Sequence, residues 1–336
     1  MKRTVSIDEL ALLAARALEA SNVSADNARV VAEALVAADA DGLSSHGVSR
    51  IPFYADQAKS GKVDGHAVAS VALPAKAAVR VDAQNGFAFP AMRAGLDKAM
   101  AAAKDCGIAG VVVTRSHHAG ALGHPVERLA DAGFVALAFS NTPSGIAPWG
   151  GFRGSFGTNP IAFACPRRNA PALVIDLSLS TVARGKVMLA RTQGKPIPEG
   201  WAIDREGRPT TDPEAALGGT MLPIGNAKGS ALALMVEILT AGLARANFAF
   251  QASSFFTADG APPGIGQLFV IFDPRAFAGD GFVDHVEVLL SEVASQTGTR
   301  LPGERRLALR REAMSNGIAI PAALYHELRH RAQAAP

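Results

Sequence analysis

The sequence is poor in the features that mark several classes of protein. It has only two cysteines in 336 residues, and both Cys106 and Cys165 stand in short apolar surroundings. This number excludes a disulfide-rich scaffold, and we expect two reduced thiols in the core. Lysine and arginine are scattered and the net charge is only +3. No basic patch typical of nucleic-acid binding is therefore present.

A leader and a membrane-spanning segment are also missing from the pattern. The first ten residues contain two basic residues but no apolar run after them, so we predict no signal peptide. The longest apolar helix candidate, residues 229–244, contains Glu237 and is flanked by Lys228 and Arg245. Its length and charges predict a core helix rather than a membrane helix. We expect a cytoplasmic protein without membrane or nucleic-acid partners.

Two common nucleotide-binding signatures do not occur. No G-x-G-x-x-G follows a strand pattern, because the pair Gly264 and Gly266 precedes a predicted strand instead. There is no Walker A sequence either. A dinucleotide site of the usual doubly wound kind is therefore not expected.

Periodicity places helices at both ends of the chain. Hydrophobic residues make up 49% and charged residues 19%, which is ample for a packed core. Ser6 opens a capping box before a helix that ends near residue 20, and Ser24 caps a second helix that ends near residue 40. A third helix is predicted over 48–61, and the chain looks helical again from residue 280 to its end.

The middle of the chain has an α/β pattern. Residues 251–267 are rich in Ser, Pro and Gly and predict a surface loop. We therefore predict an α/β domain of residues 76–280 and a helical domain made of 1–75 together with 281–336. Strands are predicted at 78–82, 109–114, 135–140, 161–165, 173–177 and 268–272, and helices at 89–104, 124–132, 181–192 and 229–244.

The segment Ser45-His46-Gly47-Val48-Ser49-Arg50 combines three chemically useful side chains. Histidine exchanges protons near neutral pH, and a neighbouring hydroxyl can orient it. Arginine can hold a carboxylate by two parallel hydrogen bonds. The alternative interpretation is a capped helix with a surface arginine.

The segment from Ser116 to Gly123 follows a predicted strand and opens a helix. Backbone N–H groups at such a turn can face a phosphate. A plain strand-to-helix turn is the alternative. The adjacent His117 and His118 do not predict a metal site, because no carboxylate or cysteine stands at a suitable spacing.

Taken in order, the motifs resemble the type 2 malate/lactate dehydrogenase family over essentially the whole chain. They are SHGVSR, APWGG, GTNPIAF, DLSLSTVARGK, EGWAID, AKGSALALMVE and LPGERR. The resemblance implies an α/β, non-Rossmann, sulfolactate-dehydrogenase-like fold, with a central mixed-sheet domain and a helical domain from both termini. It also implies a homodimer, a small anionic substrate, and NAD or NADP bound between the domains.

Within that family the chain is most similar to reductases of the cyclic imines Δ1-pyrroline-2-carboxylate and Δ1-piperideine-2-carboxylate, which yield L-proline and L-pipecolate. The resemblance implies that His46 is the proton donor, that Ser45 belongs to its relay, and that Arg50 and Thr158 contact substrate. It further implies these cofactor contacts: His118, Ala119, Gly120, Ala121, Leu122, Asp176, Leu177, Ser178, Arg184, Gly185, Ala227, Lys228 and Arg305.

One position departs from the imine-reductase pattern. Lys186 stands where those enzymes carry an aspartate, as in the hydroxyacid dehydrogenases. A malate/lactate-type or ureidoglycolate-type dehydrogenase is therefore the alternative function, and a non-catalytic binding protein on this scaffold is another. The residues leave NADP and NAD open, because Ser178 and Arg184 could hold a 2′-phosphate, whereas Asp176 could bind the ribose of NAD. The resemblance to the imine reductases implies NADP, which is therefore the expected cofactor.

Overall fold

The structure is a computed structural model that describes residues 2–333. Short 3₁₀ helices occupy Ser44–His46, Val48–Arg50 and Gly279–Gly281, and a π-helical turn occupies Ile238–Gly242. The strands are β1 Lys2–Val5, β2 Ser70–Ala75, β3 Ala78–Asp82, β4 Ile108–Ser116, β5 Val135–Ser140, β6 Ile161–Cys165, β7 Leu173–Leu177, β8 Ala202–Ile203, β9 Pro209–Thr210, β10 Thr220–Met221, β11 Ile265–Phe272 and β12 Ile318–Pro321. The helices are α1 Ile7–Glu19, α2 Ala25–Ala40, α3 Ile51–Lys59, α4 Ala88–Cys106, α5 Gly123–Asp131, α6 Arg184–Thr192, α7 Pro213–Gly218, α8 Ala227–Glu237, α9 Pro274–Ala278, α10 Phe282–Ser295, α11 Glu304–Asn316 and α12 Ala322–Gln333.

A seven-stranded mixed sheet forms the centre, in the order β2-β3-β4-β11-β5-β6-β7. Only β3 and β4 run parallel, and every other neighbouring pair is antiparallel. This topology is not that of a doubly wound parallel sheet, and it confirms the predicted mixed sheet. All six predicted strands are present, four with the predicted bounds.

The terminal helices pack on one side of this sheet. Leu10 of α1, Leu35 of α2 and Leu328 of α12 belong to the same buried cluster as Val111 and Phe269 of the sheet. The helical layer built from both ends of the chain is therefore continuous with the α/β core. The side chains of Ser6 and Ser24 cap α1 and α2 as predicted. No helix within residues 2–333 is long and apolar enough to cross a bilayer.

Several local predictions were wrong. The two ends are not wholly helical, because β1 and β12 pair with each other, Val5 lying opposite Ile318. Strands of four residues carry too little alternation to be read, and their partners are far apart in the sequence. Cys165 is buried as predicted, but Cys106 is exposed, since it is the last residue of α4.

A buried ion network joins the terminal helices to the sheet layer. Arg310 of α11 donates from Nε to Asp41 Oδ1 at 2.7 Å and from Nη2 to Glu127 Oε2 at 2.8 Å. Arg306 bonds the same two carboxylates, and His124 Nε2 lies 2.8 Å from Asp41 Oδ2. Burial alone would raise the pKa of Asp41, but these partners hold it well below its ordinary value.

Removing one cation from this network should destabilise the fold. We expect Arg310→Met to lower the free energy of unfolding by about 3 kcal/mol at pH 7, because Asp41 and Glu127 stay buried with one guanidinium fewer. Arg311→Met is the matched control, since Arg311 is exposed on the same helix. The folded pKa of Asp41 lies below its unfolded value, so its stabilisation is present at neutral pH and is lost in acid. In urea titrations, the difference in free energy of unfolding between wild type and Arg310→Met should become smaller as the pH falls. An equal loss of stability in Arg310→Met and Arg311→Met would contradict the assignment.

Candidate active site

The proposed catalytic pair lies in the tight turn after α2. Ser45 Oγ lies 3.0 Å from His46 Nδ1, as the relay hypothesis requires. The turn is fixed from behind by Asp39, whose Oδ2 accepts from the Val48 N–H at 2.7 Å. A Cβ on Gly47 would lie 2.2 Å from that carboxylate, so only glycine allows this approach. Burial raises the pKa of Asp39 to about 6.

His46 is neutral at pH 7 in this environment. Its ring stacks on His118 with centroids 5.4 Å apart. Burial and the neighbouring Arg50 guanidinium lower its pKa to about 4. A neutral imidazole can accept a proton from a hydroxyl group, so His46 is ready to serve as a base.

Arg50 presents an unused hydrogen-bond donor in a buried place. Its Nε donates to the Ser45 carbonyl at 2.7 Å, and its Cζ lies 4.6 Å from the Phe256 ring centroid. Among residues 2–333, its Nη1 is buried and has no hydrogen-bond partner. A buried, unpartnered donor on a cation is costly, and an anionic ligand would satisfy it.

Helix α3 carries a buried polar stripe that continues from Arg50. Tyr54 Oη lies 2.6 Å from His118 Nδ1, and Gln57 Oε1 lies 2.8 Å from His117 Nε2. Burial lowers the pKa of both histidines, that of His117 to about 3. Tyr54 and Gln57 were not predicted from the sequence as site residues, although positions 50, 54 and 57 have the spacing of one helix face.

The turn His118–Leu122 joins β4 to α5, which confirms the predicted strand-to-helix arrangement. Gly120 has a φ of +67°, and a Cβ there would lie 2.7 Å from Phe89. The end of β7 meets this turn, because Asp176 Oδ2 accepts from the Gly123 N–H at 2.7 Å. The structure therefore brings the two main segments predicted for the cofactor together.

The start of α6 lies against the catalytic turn. A Cβ on Gly185 would be 4.0 Å from Ser45 Cβ. Arg184 Nη2 donates to the Leu217 carbonyl at 3.2 Å, and burial lowers the pKa of Arg184. Lys186 is exposed, and among residues 2–333 it forms no salt bridge. A cationic residue therefore follows directly after Gly185, whose backbone approaches Ser45.

Helix α8 ties the remaining motifs to one carboxylate. Glu237 Oε1 accepts from Asn159 Nδ2 at 3.0 Å and from the Gly157 N–H at 3.3 Å. Its Oε2 accepts from Asn141 Nδ2 and from the Ala249 N–H, each at 3.3 Å. Burial raises the pKa of Glu237 and these donors oppose the shift. From the sequence, Glu237 served only to exclude a membrane helix, and its role as a shared hydrogen-bond acceptor was not predicted.

Three predicted contacts lie at the edge of the site. Thr158 hydrogen-bonds Thr142, its Oγ1 lying 3.3 Å from Thr142 Oγ1, and no hydrogen bond within residues 2–333 joins it to the catalytic pair. Lys228 is exposed at the start of α8. Arg305 is exposed at the start of α11, where a Cβ on Gly303 would lie 3.5 Å from a β7 carbonyl.

The mixed sheet and the Ser–His–Arg turn together are those expected of a class of dehydrogenases without a Rossmann fold. Comparison of the sequence with known families gives the same class. Residues 5–329 match the malate/L-lactate dehydrogenase family, to which the chain belongs. The predicted family and the predicted oxidoreductase activity are thereby confirmed.

Two kinds of relative stand out by sequence. A (2R)-3-sulfolactate dehydrogenase (NADP(+)) of Chromohalobacter salexigens is 55% identical over 98% of each chain. A Δ1-pyrroline-2-carboxylate/Δ1-piperideine-2-carboxylate reductase of Pseudomonas syringae pv. tomato is 41% identical over 95% of this chain and 93% of the relative.

Solved structures give the same picture of the fold. The Δ1-piperideine-2-carboxylate reductase of Pseudomonas syringae superimposes with a TM-score of 0.93 at 40% identity, covering 98% of this chain and 99% of that one. The sulfolactate dehydrogenase of Methanocaldococcus jannaschii superimposes with a TM-score of 0.91 at 28% identity, covering 98% and 96%.

The pKa of His46 depends on Arg50, and this can be measured. We expect Arg50→Met to raise the pKa of His46 from about 4 towards its ordinary value, because a nearby positive charge is removed. Histidine-ring NMR signals followed against pH give the value. Arg80→Met, on the exposed face of β3, is the control and should leave it unchanged. An unmoved His46 titration in Arg50→Met would contradict the assignment.

Proposed function

We propose that this protein is an NADP-dependent 2-hydroxy acid dehydrogenase of the sulfolactate type, interconverting a 2-hydroxy acid and its 2-keto acid. The observation that carries the proposal is the buried, unpartnered Nη1 of Arg50 beside the neutral His46. Arg50 binds the substrate carboxylate, and His46 takes the hydroxyl proton during oxidation and returns it during reduction. Ser45 orients the imidazole. The cofactor accepts or supplies the hydride at C2.

The charge around the catalytic turn favours a substrate with two anionic groups. Arg50, Arg184 and Lys186 supply positive charge there, and Lys186 follows Gly185, on which a Cβ would lie 4.0 Å from Ser45 Cβ. A sulfonate or second carboxylate gains from a cation, whereas a protonated cyclic imine is repelled by it. The relative with the higher identity of the two quoted above is a sulfolactate dehydrogenase. We therefore propose a sulfolactate-type acid, rather than a cyclic imine, as the preferred substrate.

Reduction of cyclic 2-imino acids stays the second candidate. Relatives at about 40% identity carry that activity in their names, and Ser45 Oγ lies within hydrogen-bonding distance of His46 Nδ1. Such a substrate brings its own positive charge, so it depends less on a proton from His46. Thr158 is the proposed second substrate contact in either case.

NADP is the proposed cofactor, and the fold offers suitable groups for it. The buried turn 118–122 and the ends of β7 and α8 would hold the dinucleotide, through His118–Leu122, Asp176–Ser178, Ala227 and Lys228. One oxygen of Asp176 is occupied by α5, while the exposed Arg305 starts a helix beside β7 and can meet a 2′-phosphate. The name of the relative at 55% identity agrees with NADP.

We also propose a homodimer that covers an apolar face along α8 and the turn after it. Leu234, Ile238 and Leu243 are 48%, 54% and 59% exposed. Large apolar side chains exposed along one helix and the turn after it favour a protein interface. A cytoplasmic location stays a prediction.

Substrate charge is tested by exchanging the cation at Lys186. We expect wild type with NADPH to prefer sulfopyruvate to pyruvate and to Δ1-pyrroline-2-carboxylate by at least about tenfold in kcat/KM, which is about 1.4 kcal/mol. Lys186→Asp should reduce this preference, because it replaces attraction by repulsion. Lys195→Asp, an exposed lysine beyond α6, is the control. A tenfold preference of wild type for the imine would reject the sulfolactate assignment.

The carboxylate clamp is tested by Arg50→Lys. Two parallel hydrogen bonds become one point contact, so we expect a loss of about 1.5–3 kcal/mol, mainly as a higher KM for the keto acid. The dissociation constant of NADPH should stay unchanged, which separates substrate binding from misfolding. A wild-type KM in the variant would show that another residue holds the carboxylate.

A further inference from the structure

Lys62 is a buried cation that forms no salt bridge within residues 2–333. It is 2% exposed, and its Nζ donates to the backbone carbonyls of Ser254 and Asp259 at 2.8 Å and of Thr257 at 3.0 Å. These three bonds use every proton of the ammonium group. Burial lowers the pKa of Lys62. A lysine with these three hydrogen bonds holds in place the loop that supplies the carbonyl groups.

Two neighbours fasten the same loop. Gln57 Nε2 donates to the Thr257 carbonyl at 3.0 Å while its Oε1 bonds His117. Ser60 Oγ donates to the Ala258 carbonyl at 3.0 Å. The end of α3 and the turn after it therefore bind the loop 254–259 through side chains that reach only its backbone.

The fastened loop carries two aromatic rings that contact the active site. Phe255 is 5% exposed, and its ring centroid lies 5.2 Å from that of His117 and 5.1 Å from that of His118. Phe256 packs on the Arg50 guanidinium, 4.6 Å from centroid to Cζ. The loop thus covers both a wall of the cofactor turn and the carboxylate clamp.

We propose that Lys62 is a positioning residue, which holds the loop 254–259 so that Phe255 fixes His118 and Phe256 fixes Arg50. The kinetic part of this inference rests on the proposed function, since it assumes that Arg50 binds the substrate carboxylate. The packing part does not.

The packing part is tested on the ligand-free full chain. Lys62→Met keeps the length of the side chain and removes the three donors. We expect faster amide exchange in residues 251–264 and shifted His118 and His46 ring signals in NMR spectra. Lys59→Met is the matched control, because Lys59 is an exposed lysine three positions earlier. Loop exchange or ring signals identical to wild type would overturn the proposal.

The kinetic part is read from the split between KM and kcat. Lys62→Met should lower kcat/KM for the keto acid by roughly 10- to 100-fold, most of it in KM, because the clamp loses its support. Unchanged kinetics in the presence of a loosened loop would overturn the positioning role. If Lys62→Met does not fold, Lys62→Gln is the alternative variant, because it retains part of the hydrogen bonding. We expect a smaller loss of kcat/KM in Lys62→Gln. An unchanged kcat/KM in that variant would also overturn the proposal. If the wild-type protein is inactive on every substrate, the proposed function is rejected. The amide-exchange and NMR results would still decide whether Lys62 holds the loop 254–259 in place.

Discussion

The site depends on the buried polar stripe of α3 and its contact with the adjacent histidines after β4. Buried side chains of this kind must find partners, and Tyr54 finds His118 while Gln57 finds His117. These hydrogen bonds fix the position of α3, a helix of the terminal layer, relative to the central sheet. Arg50, at the start of the same helix, is thereby placed beside His46. The turn proposed for catalysis and the turn proposed for cofactor binding therefore share one support.

Glu237 imposes a second constraint of the same physical kind. Among residues 2–333, this carboxylate accepts from two asparagine side chains and two backbone N–H groups and forms no salt bridge, so it is held by dipoles alone. It fixes the turns around Asn141 and Asn159 relative to α8, whose first residues are proposed to contact the cofactor. The backbone at Asn159 has a φ of 40°, a conformation that needs such support. Motifs distant in sequence thus become one rigid surface.

Electrostatics links the fold to the choice of substrate. Members of one family with one scaffold act on hydroxy acids and on cyclic imines, so the scaffold does not decide the reaction. In the proposed function, the sign of charge near the Ser45–His46 pair separates the two, because a keto acid with a second anion and a protonated imine respond oppositely to a cation. Lys186 and Arg184 give that region a positive sign here.

The sequence by itself determined the capped terminal helices, all six predicted strands of the central sheet, and the motif residues from Ser45 to Arg50, because these depend on local periodicity and on side-chain chemistry. It did not determine β1 and β12, which exist only because two distant segments pair. Nor did it determine the roles of Tyr54, Gln57, Lys62 and Glu237, each of which reads as an ordinary helix or turn residue. The segment 251–267, expected to be a surface loop, supplies the start of β11 and the buried Phe255. Only tertiary structure could decide these points, because a buried polar or aromatic group takes its function from partners that lie far away in the chain.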